Sequence, residues 1–388
     1  MISAASEGDL YKQLQKNSME LIQCNEIKET PGLAYIKTLF KKRVSTRDLI
    51  QFFIQLEQMQ NAGIGLLEAL SDAKSTADNA TLRDIVTEIH RDVTEGSSLS
   101  EAMKQYPNVF NNLYISLIQA GEETGDLVSS YKKLITYLTW VDDMQVKVKK
   151  ATRYPIILLF VIVLTVGVMM GVVVPQIVGF IENLDQELPF YTRWLVATSD
   201  FFQNSWHLML IIPATLFALT KFAYGFSVDF AYRYDKLMLD LPILGPIIRK
   251  INIARYAQTF GSLYSSGIDV LKALGASRQT VSNRALGDAL DKVEESVLDG
   301  SPLSESFKES GEFPNLIIRM LKIGEESGNL SGTMAQVSDF YTKDVDEAVE
   351  GLITLIEPAL TLIMGGMLLW IAAGVFGPIY NSFEDIDF

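Results

Sequence analysis

Residues 120–127 read AGEETGDL, and 203 positions later residues 323–330 read IGEESGNL. Working outward, AGIGLLEAL at 62–70 answers to SGIDVLKAL at 266–274, and EGSSLSEAM at 95–103 to DGSPLSESF at 299–307, both at an offset of 204. After this one-residue deletion the offset of 203 persists, setting Tyr154-Pro155 against Glu357-Pro358 and Pro175 against Pro378. Five blocks in one register are far beyond chance, and a fixed long period marks a repeated structural unit. The chain is an internal duplication, each copy running roughly 130 residues from a soluble domain into an apolar span.

Inside each copy the apolar period is helical. In residues 49–59 and 113–138, apolar side chains recur every three or four positions. Ser98 and Glu101 have capping-box spacing ahead of an apolar run, and Gly96 suits the end of the helix before it. Gly63, Gly121 and Gly125, with Gly267, Gly324 and Gly328 in the second copy, punctuate the pattern where helices must turn. No alternation is long enough to propose a sheet. The expected class is all-α, with five or six short antiparallel helices in each domain.

The repeated motifs read first as structure. GIxxLxAL places Ile64, Leu67 and Leu70 on one helix face for core packing. In GEE(S/T)G-x-L, Gly125 and Gly328 are expected at positive φ between helices. Glu122 and Glu325 are expected near the N-terminus of the next helix, where a carboxylate is stabilised. Two sharper readings stay open for the block as a whole (Gly121, Leu127, Gly324 and Leu330 included): a partner-docking surface, or a divalent-cation site at Glu122-Glu123 and Glu325-Glu326.

Residues 156–174, IILLFVIVLTVGVMMGVVV, hold no charge. At ~1.5 Å per residue they nearly cross a hydrocarbon core of ~30 Å, and 175–181 lengthen them. Residues 358–380 form a second uncharged stretch. A weaker candidate at 206–228 contains Pro213 and Lys221, the latter able to snorkel to an interface. Two spans alone would put the matching domains on opposite sides, which favours three. The expected division is a leader at 1–45, a first bundle at 46–153 and a span at 154–180. A short periplasmic loop at 181–205, a span at 206–228, a second bundle at 229–354, a span at 355–380 and a periplasmic tail at 381–388 follow.

Charge gives the direction. Lys147, Lys149, Lys150 and Arg153 precede the first span, and Lys221, Arg233, Lys236, Arg249 and Lys250 follow the second. The intervening loop has only Arg193 against several acids, and the tail NSFEDIDF has no basic residue. By the positive-inside rule the N-terminus and both bundles are cytoplasmic, and the short loop and the C-terminus face outward. Gly167 and Gly171 form a GxxxG spacing in span one, and Gly365-Gly366 lie in span three, candidates for close helix approach. At the thresholds of spans one and three stand Tyr154-Pro155 and Glu357-Pro358. Glu357 either reaches water at the interface or pairs with Arg153 or Lys150.

The chemistry of an enzyme is missing from the sequence. No G-x-x-x-x-G-K-[ST] loop is present, so nucleotide hydrolysis must come from another protein. His90 and His207 are the only histidines and Cys24 the only cysteine, so a metal cluster, a disulfide or a hydrolase triad is hard to assemble. No cofactor is expected. The net charge of −14 argues against a nucleic-acid partner. The first 30 residues show no long apolar run behind a basic start, so no cleavable signal peptide is expected.

The GIxxLxAL, (E/D)GxxLSE and GEE(S/T)G-x-L blocks, each present twice, together with Tyr154-Pro155 and Glu357-Pro358, resemble those of one family: type II secretion F proteins and type IV pilus inner-membrane platform proteins. The likeness covers roughly residues 3–383. It implies two homologous cytoplasmic six-helix bundles, three transmembrane helices, and self-association as a dimer or higher oligomer in a bacterial inner membrane. It also implies partners: a hexameric cytoplasmic assembly ATPase, pilin or pseudopilin subunits, and other inner-membrane platform proteins. The implied role is to couple that ATPase to extraction and polymerisation of the subunits. A transport permease or channel component is the alternative, but it calls for polar residues along the spans, and spans one and three carry few beyond Thr165 and Thr361.

Overall fold

The computed structural model describes residues 43–176, 179 and 190–384. The expected leader, apart from its last three residues, lies outside them, as do 385–388 at the end of the expected tail. Among the described residues the chain is helical without strands. The first bundle comprises α1 (Thr46–Asn61), α2 (Leu66–Thr76), α3 (Ala80–Thr94), α4 (Leu99–Lys104), α5 (Asn112–Thr124) and α6 (Leu127–Val168). After α7 (Phe190–Phe226) and α8 (Val228–Asp240), the same order recurs as α9 (Leu244–Tyr264), α10 (Val270–Arg278), α11 (Arg284–Leu298), α12 (Leu303–Glu309), α13 (Asn315–Ser327) and α14 (Leu330–Glu384).

Local chemistry fixes the helix starts. Ser45 and Asp48 form a capping box at α1, as Ser98 and Glu101 do at α4. Asn79 and Asn283, equivalent in the two copies, cap α3 and α11 with their side-chain oxygens. Gly63 and Gly267 both turn at positive φ, 83° and 81°, as their sequence spacing suggested. Fully buried Phe53, Leu56, Leu70 and Ile89 anchor the first bundle, and Phe260, Leu274 and Phe307 the second. The two interiors merge into one continuous apolar core.

The bundles are not tethered to their spans by loops. α6 is a single helix of 42 residues that contains Pro155, and α14 one of 55 residues that contains Pro358. At 1.5 Å per residue these rods measure about 60 Å and about 80 Å. α6 passes into a π-helical turn at Met169–Val173. The expected boundaries at 154 and 355 therefore fall inside continuous helices, and 381–384 of the expected tail extend α14.

The segment expected as a loop at 181–205 is helical from Phe190 onward, forming the first half of α7. This half packs across spans one and three. Leu195 is fully buried with Met170, Ile371 and Val375 around it. Thr192 Oγ1 donates to the Gly374 carbonyl at 3.0 Å, and Ser199 Oγ to the Met170 carbonyl in the π turn at 2.6 Å. α7 kinks at Ser205, where φ is −126° and ψ 16°. Beyond the kink, residues 207–226 are long and apolar enough to cross a membrane, yet none of the described side chains there is buried inside the protein. The middle span ends at Phe226, two residues before the expected limit of 228.

Candidate functional site

The repeated acidic junction is built the same way twice. α5 ends at Gly125 with φ 74°, and α13 at Gly328 with φ 69°, the left-handed conformation that glycine adopts without a Cβ penalty. One turn earlier stand Gly121 and Gly324, both buried. A Cβ on Gly121 would sit 2.5 Å from Ser130 Oγ, and one on Gly324 would collide with Thr333 Oγ1. These glycines let α5 and α13 lie against the first turns of α6 and α14. Asp126 caps α6 by accepting from Ser129 N, and its counterpart Asn329 accepts from Gly332 N. Leu127, half-buried, and Leu330, buried, pack onto the core behind the caps.

Glu122 and Glu325 differ from expectation in one respect: each reaches back to the preceding short helix instead of forward to the next. Glu122 accepts from Ser100 N at 3.2 Å and from Ser100 Oγ at 2.5 Å, at the start of α4. Glu325 accepts from Leu303 N and from Ser304 N, the latter at 3.0 Å, at the start of α12. The first helical turn has amide donors without intrahelical partners, and a carboxylate there meets both the donors and the helix dipole. Glu123 and Glu326 are exposed, held by Gln119 at 3.0 Å and by Lys322 at 3.8 Å. Each repeat thus divides its two carboxylates between an internal clamp and solvent. Among the described residues no three His, Cys, Asp or Glu side chains come together as metal ligands.

The two bundles meet along α6 and α14. Trp140 Nε1 donates to Thr342 Oγ1 at 3.1 Å, and Lys147 Nζ to Asp346 Oδ2 at 2.6 Å. The two pairs ascend both helices together, so the rods run parallel. Nearby, Lys133 donates to Ser266 Oγ at 2.9 Å and Asn112 to Gln279 Oε1 at 2.6 Å. A cavity of 270 Å³ remains between the bundles, lined by Tyr114, Tyr137, Gln145, Arg255 and Gln279 among others. Burial raises the pKa of the Tyr137 phenol, although Thr259 and the Arg255 charge pull the other way. Burial likewise lowers that of Lys133, against the pull of Asp126. Sequence reasoning did not find this face. Under the repeat, Trp140 maps onto Lys343 and Lys147 onto Glu350, so no shared pattern flags it.

The span candidates divide. Tyr154 is half exposed, and Pro155 lies within α6. Glu357 is exposed and forms no ion pair with Arg153 or Lys150 among the described residues. A Cβ added to Gly167, Gly171, Gly365 or Gly366 would meet nothing within 4 Å, so none of the four mediates helix contact within the chain. Gly374 does, for a Cβ there would stand 2.5 Å from Leu195 Cδ2.

Known proteins share this sequence pattern. The family model described as type II secretion system (T2SS), protein F, matches twice, over residues 52–175 and 256–378, one match to each copy. The type IV pilus assembly protein PilC of Pseudomonas aeruginosa is 31% identical over 340 residues, 88% of this chain and 91% of the relative. PilC of Thermus thermophilus is 32% identical over 339 residues, covering 86% and 82%. The type II secretion system protein F of Vibrio cholerae is 30% identical over 378 residues, covering 96% and 93%. The chain belongs to the type II secretion system protein F family, in which its duplicated bundle and span are the matched unit.

Proposed function

We propose that this protein is an inner-membrane platform of a type IV pilus or a type II secretion system. It transmits the work of a cytoplasmic hexameric ATPase to pilin or pseudopilin subunits in the membrane. The coarse assignment rests on the family and on three apolar helices long enough to span. The transmission reading rests on one observation: α6 and α14 each run without a break from a bundle core into a span. A motor in the cytosol moves something in a bilayer only through a body that is stiff across the boundary, and these rods are such bodies. Both bundles lie on the cytoplasmic side in this reading, which the lysines and arginines flanking the spans support. The protein then acts as scaffold, without a reaction or cofactor of its own, and assembles with itself and with other platform proteins.

The test is a flexible Gly-Ser insertion between Arg153 and Tyr154, where the first bundle's last helix becomes a span. The altered chain should insert into the membrane and still bind its ATPase, while pilus assembly or secretion falls to the background of a deletion strain. Full assembly by the inserted chain would dismiss rigid transmission. Accessibility labelling at Glu101→Cys and Asp269→Cys checks the orientation, since both positions must react from the cytosol.

A further inference from the structure

Only Ser227 separates the end of span two from helix α8. Its backbone is extended, with φ −120° and ψ 119°, and its hydroxyl caps α8 by accepting from Phe230 N at 3.3 Å. The chain turns sharply at this residue. Tyr224 Oη donates to Asp235 Oδ2 at 3.0 Å, and the Tyr224 and Tyr234 rings meet edge to face at 5.9 Å. Had α8 continued along the axis of α7, residues eleven apart would be separated by about 16 Å, beyond the reach of these side chains. Helix α8 therefore lies across the end of span two.

Three faces can be distinguished on α8. Ala231, Asp235 and Leu239 are buried against the second bundle, where Asp235 Oδ2 also accepts from Arg284 N at 2.8 Å. Phe230, Tyr234 and Leu237, spaced by three or four, form an exposed apolar ridge, with Leu237 59% exposed. The ridge continues into exposed Phe226 and Val228 at one end and into Ile243 and Leu244 at the other. Continuous apolar ground of this extent on a protein surface marks contact with a partner or a membrane. Beside the ridge, Arg233 and Lys236 are exposed, and neither has an acidic partner among the described residues. Asp229 and Asp240 share that flank, so its net charge is nil and any attraction must come from local pairing.

We propose that α8 is an interfacial helix that lies on the phospholipid surface. Phe230, Tyr234 and Leu237 are immersed at the boundary between headgroups and acyl chains, and Arg233 and Lys236 are bonded to lipid phosphates. The occupant of the ridge is lipid because the ridge is continuous with the surface of span two, none of whose described side chains is buried among the described residues. Aromatic side chains with a polar end and basic residues with long apolar stems are those that suit this depth. An amphipathic helix in this position gains affinity from the apolar area that it buries. The second bundle, docked on the opposite face of α8, is then held at a fixed height above the bilayer. This inference goes beyond the platform reading and stands or falls without it.

The experiment uses the full chain carrying Cys24→Ser and Leu237→Cys, labelled with an environment-sensitive fluorophore in nanodiscs of phosphatidylcholine and phosphatidylglycerol. Lipids brominated close to the headgroup should quench most of the emission at position 237, and aqueous iodide little of it. A label at Glu101→Cys on α4 should give the reverse. Phe230→Cys repeats the measurement in case the first variant folds poorly. Charge reversal, Arg233→Glu with Lys236→Glu, should raise iodide quenching at 237 several-fold. Iodide quenching at 237 as strong as at 101 would overturn the proposal. So would protection from both quenchers, which would mean that protein covers the ridge.

Discussion

A carboxylate aimed at the first turn of a neighbouring helix meets amide donors that nothing else satisfies, and Glu122 and Glu325 do this for α4 and α12. Removing one side of a buried hydrogen bond costs about 1–3 kcal/mol, so Glu122→Ala should lower stability by that amount and Glu122→Gln by less. Glu325→Ala should cost more than Glu122→Ala, because Ser98 also caps α4 while Pro302 at the start of α12 offers no side-chain cap. Thermal unfolding of the detergent-purified chain measures both. Gly121→Ala pushes a methyl into Ser130, and overpacking of this kind costs about 1–3 kcal/mol. The left-handed turns at Gly125 and Gly328 were legible, since glycine announces them. The target of Glu122 was not, because it lies 22 residues upstream and a motif names only its sequence neighbours.

At the scale of elements, the contact of α7 with α14 depends on a bare backbone. Gly374→Ala should drive Leu195 away and weaken the packing by about 1–3 kcal/mol. Leu195→Ala alone costs burial, but combined with Gly374→Ala it should cost less than the sum of the two, and a double-mutant cycle by thermal unfolding reads the coupling. Spans one and three were legible from their long uncharged runs. The first half of α7 was not, because Thr192 and Ser199 lower its apolar content while turning inward to backbone carbonyls of the spans. A helix whose polar groups are satisfied by its neighbours reads as a loop when those neighbours are unknown. The same holds for the middle of the rods, where Pro155 and Pro358 suggested boundaries and the helices run on.

The whole molecule should be sensitive to alkali. Burial holds the phenols of Tyr114, Tyr131, Tyr137 and Tyr256 above the ordinary tyrosine range, and raises that of Tyr341 to about 12. Below pH ~10 these residues are neutral in both the folded and the unfolded chain, and their contribution is complete. As pH rises from there toward the native values, the unfolded chain loses protons first and stability falls. Lys133, with its pKa lowered, works in the opposite sense, but it is one half-buried group. Unfolding temperature should drop steeply above pH ~10, and Tyr341→Phe should soften the drop. Between the bundles, Lys147→Asp alone should change stability by no more than ~1 kcal/mol, and Asp346→Lys added to it should restore what is lost.

The parallel course of α6 and α14 carries a further consequence. In the orientation we propose, two like halves that point the same way into one membrane cannot be joined end to end; the chain must come back before it begins again. Span two would then be that return stroke, and it lies between the two stretches that the family model matches. Span two has no counterpart in the repeat, and none of its described side chains is buried. The molecule is in effect two copies of one smaller unit on a single chain, held side by side by contacts such as those of Trp140 and Lys147. Severed between its halves and made as two polypeptides, it should find itself again in the bilayer.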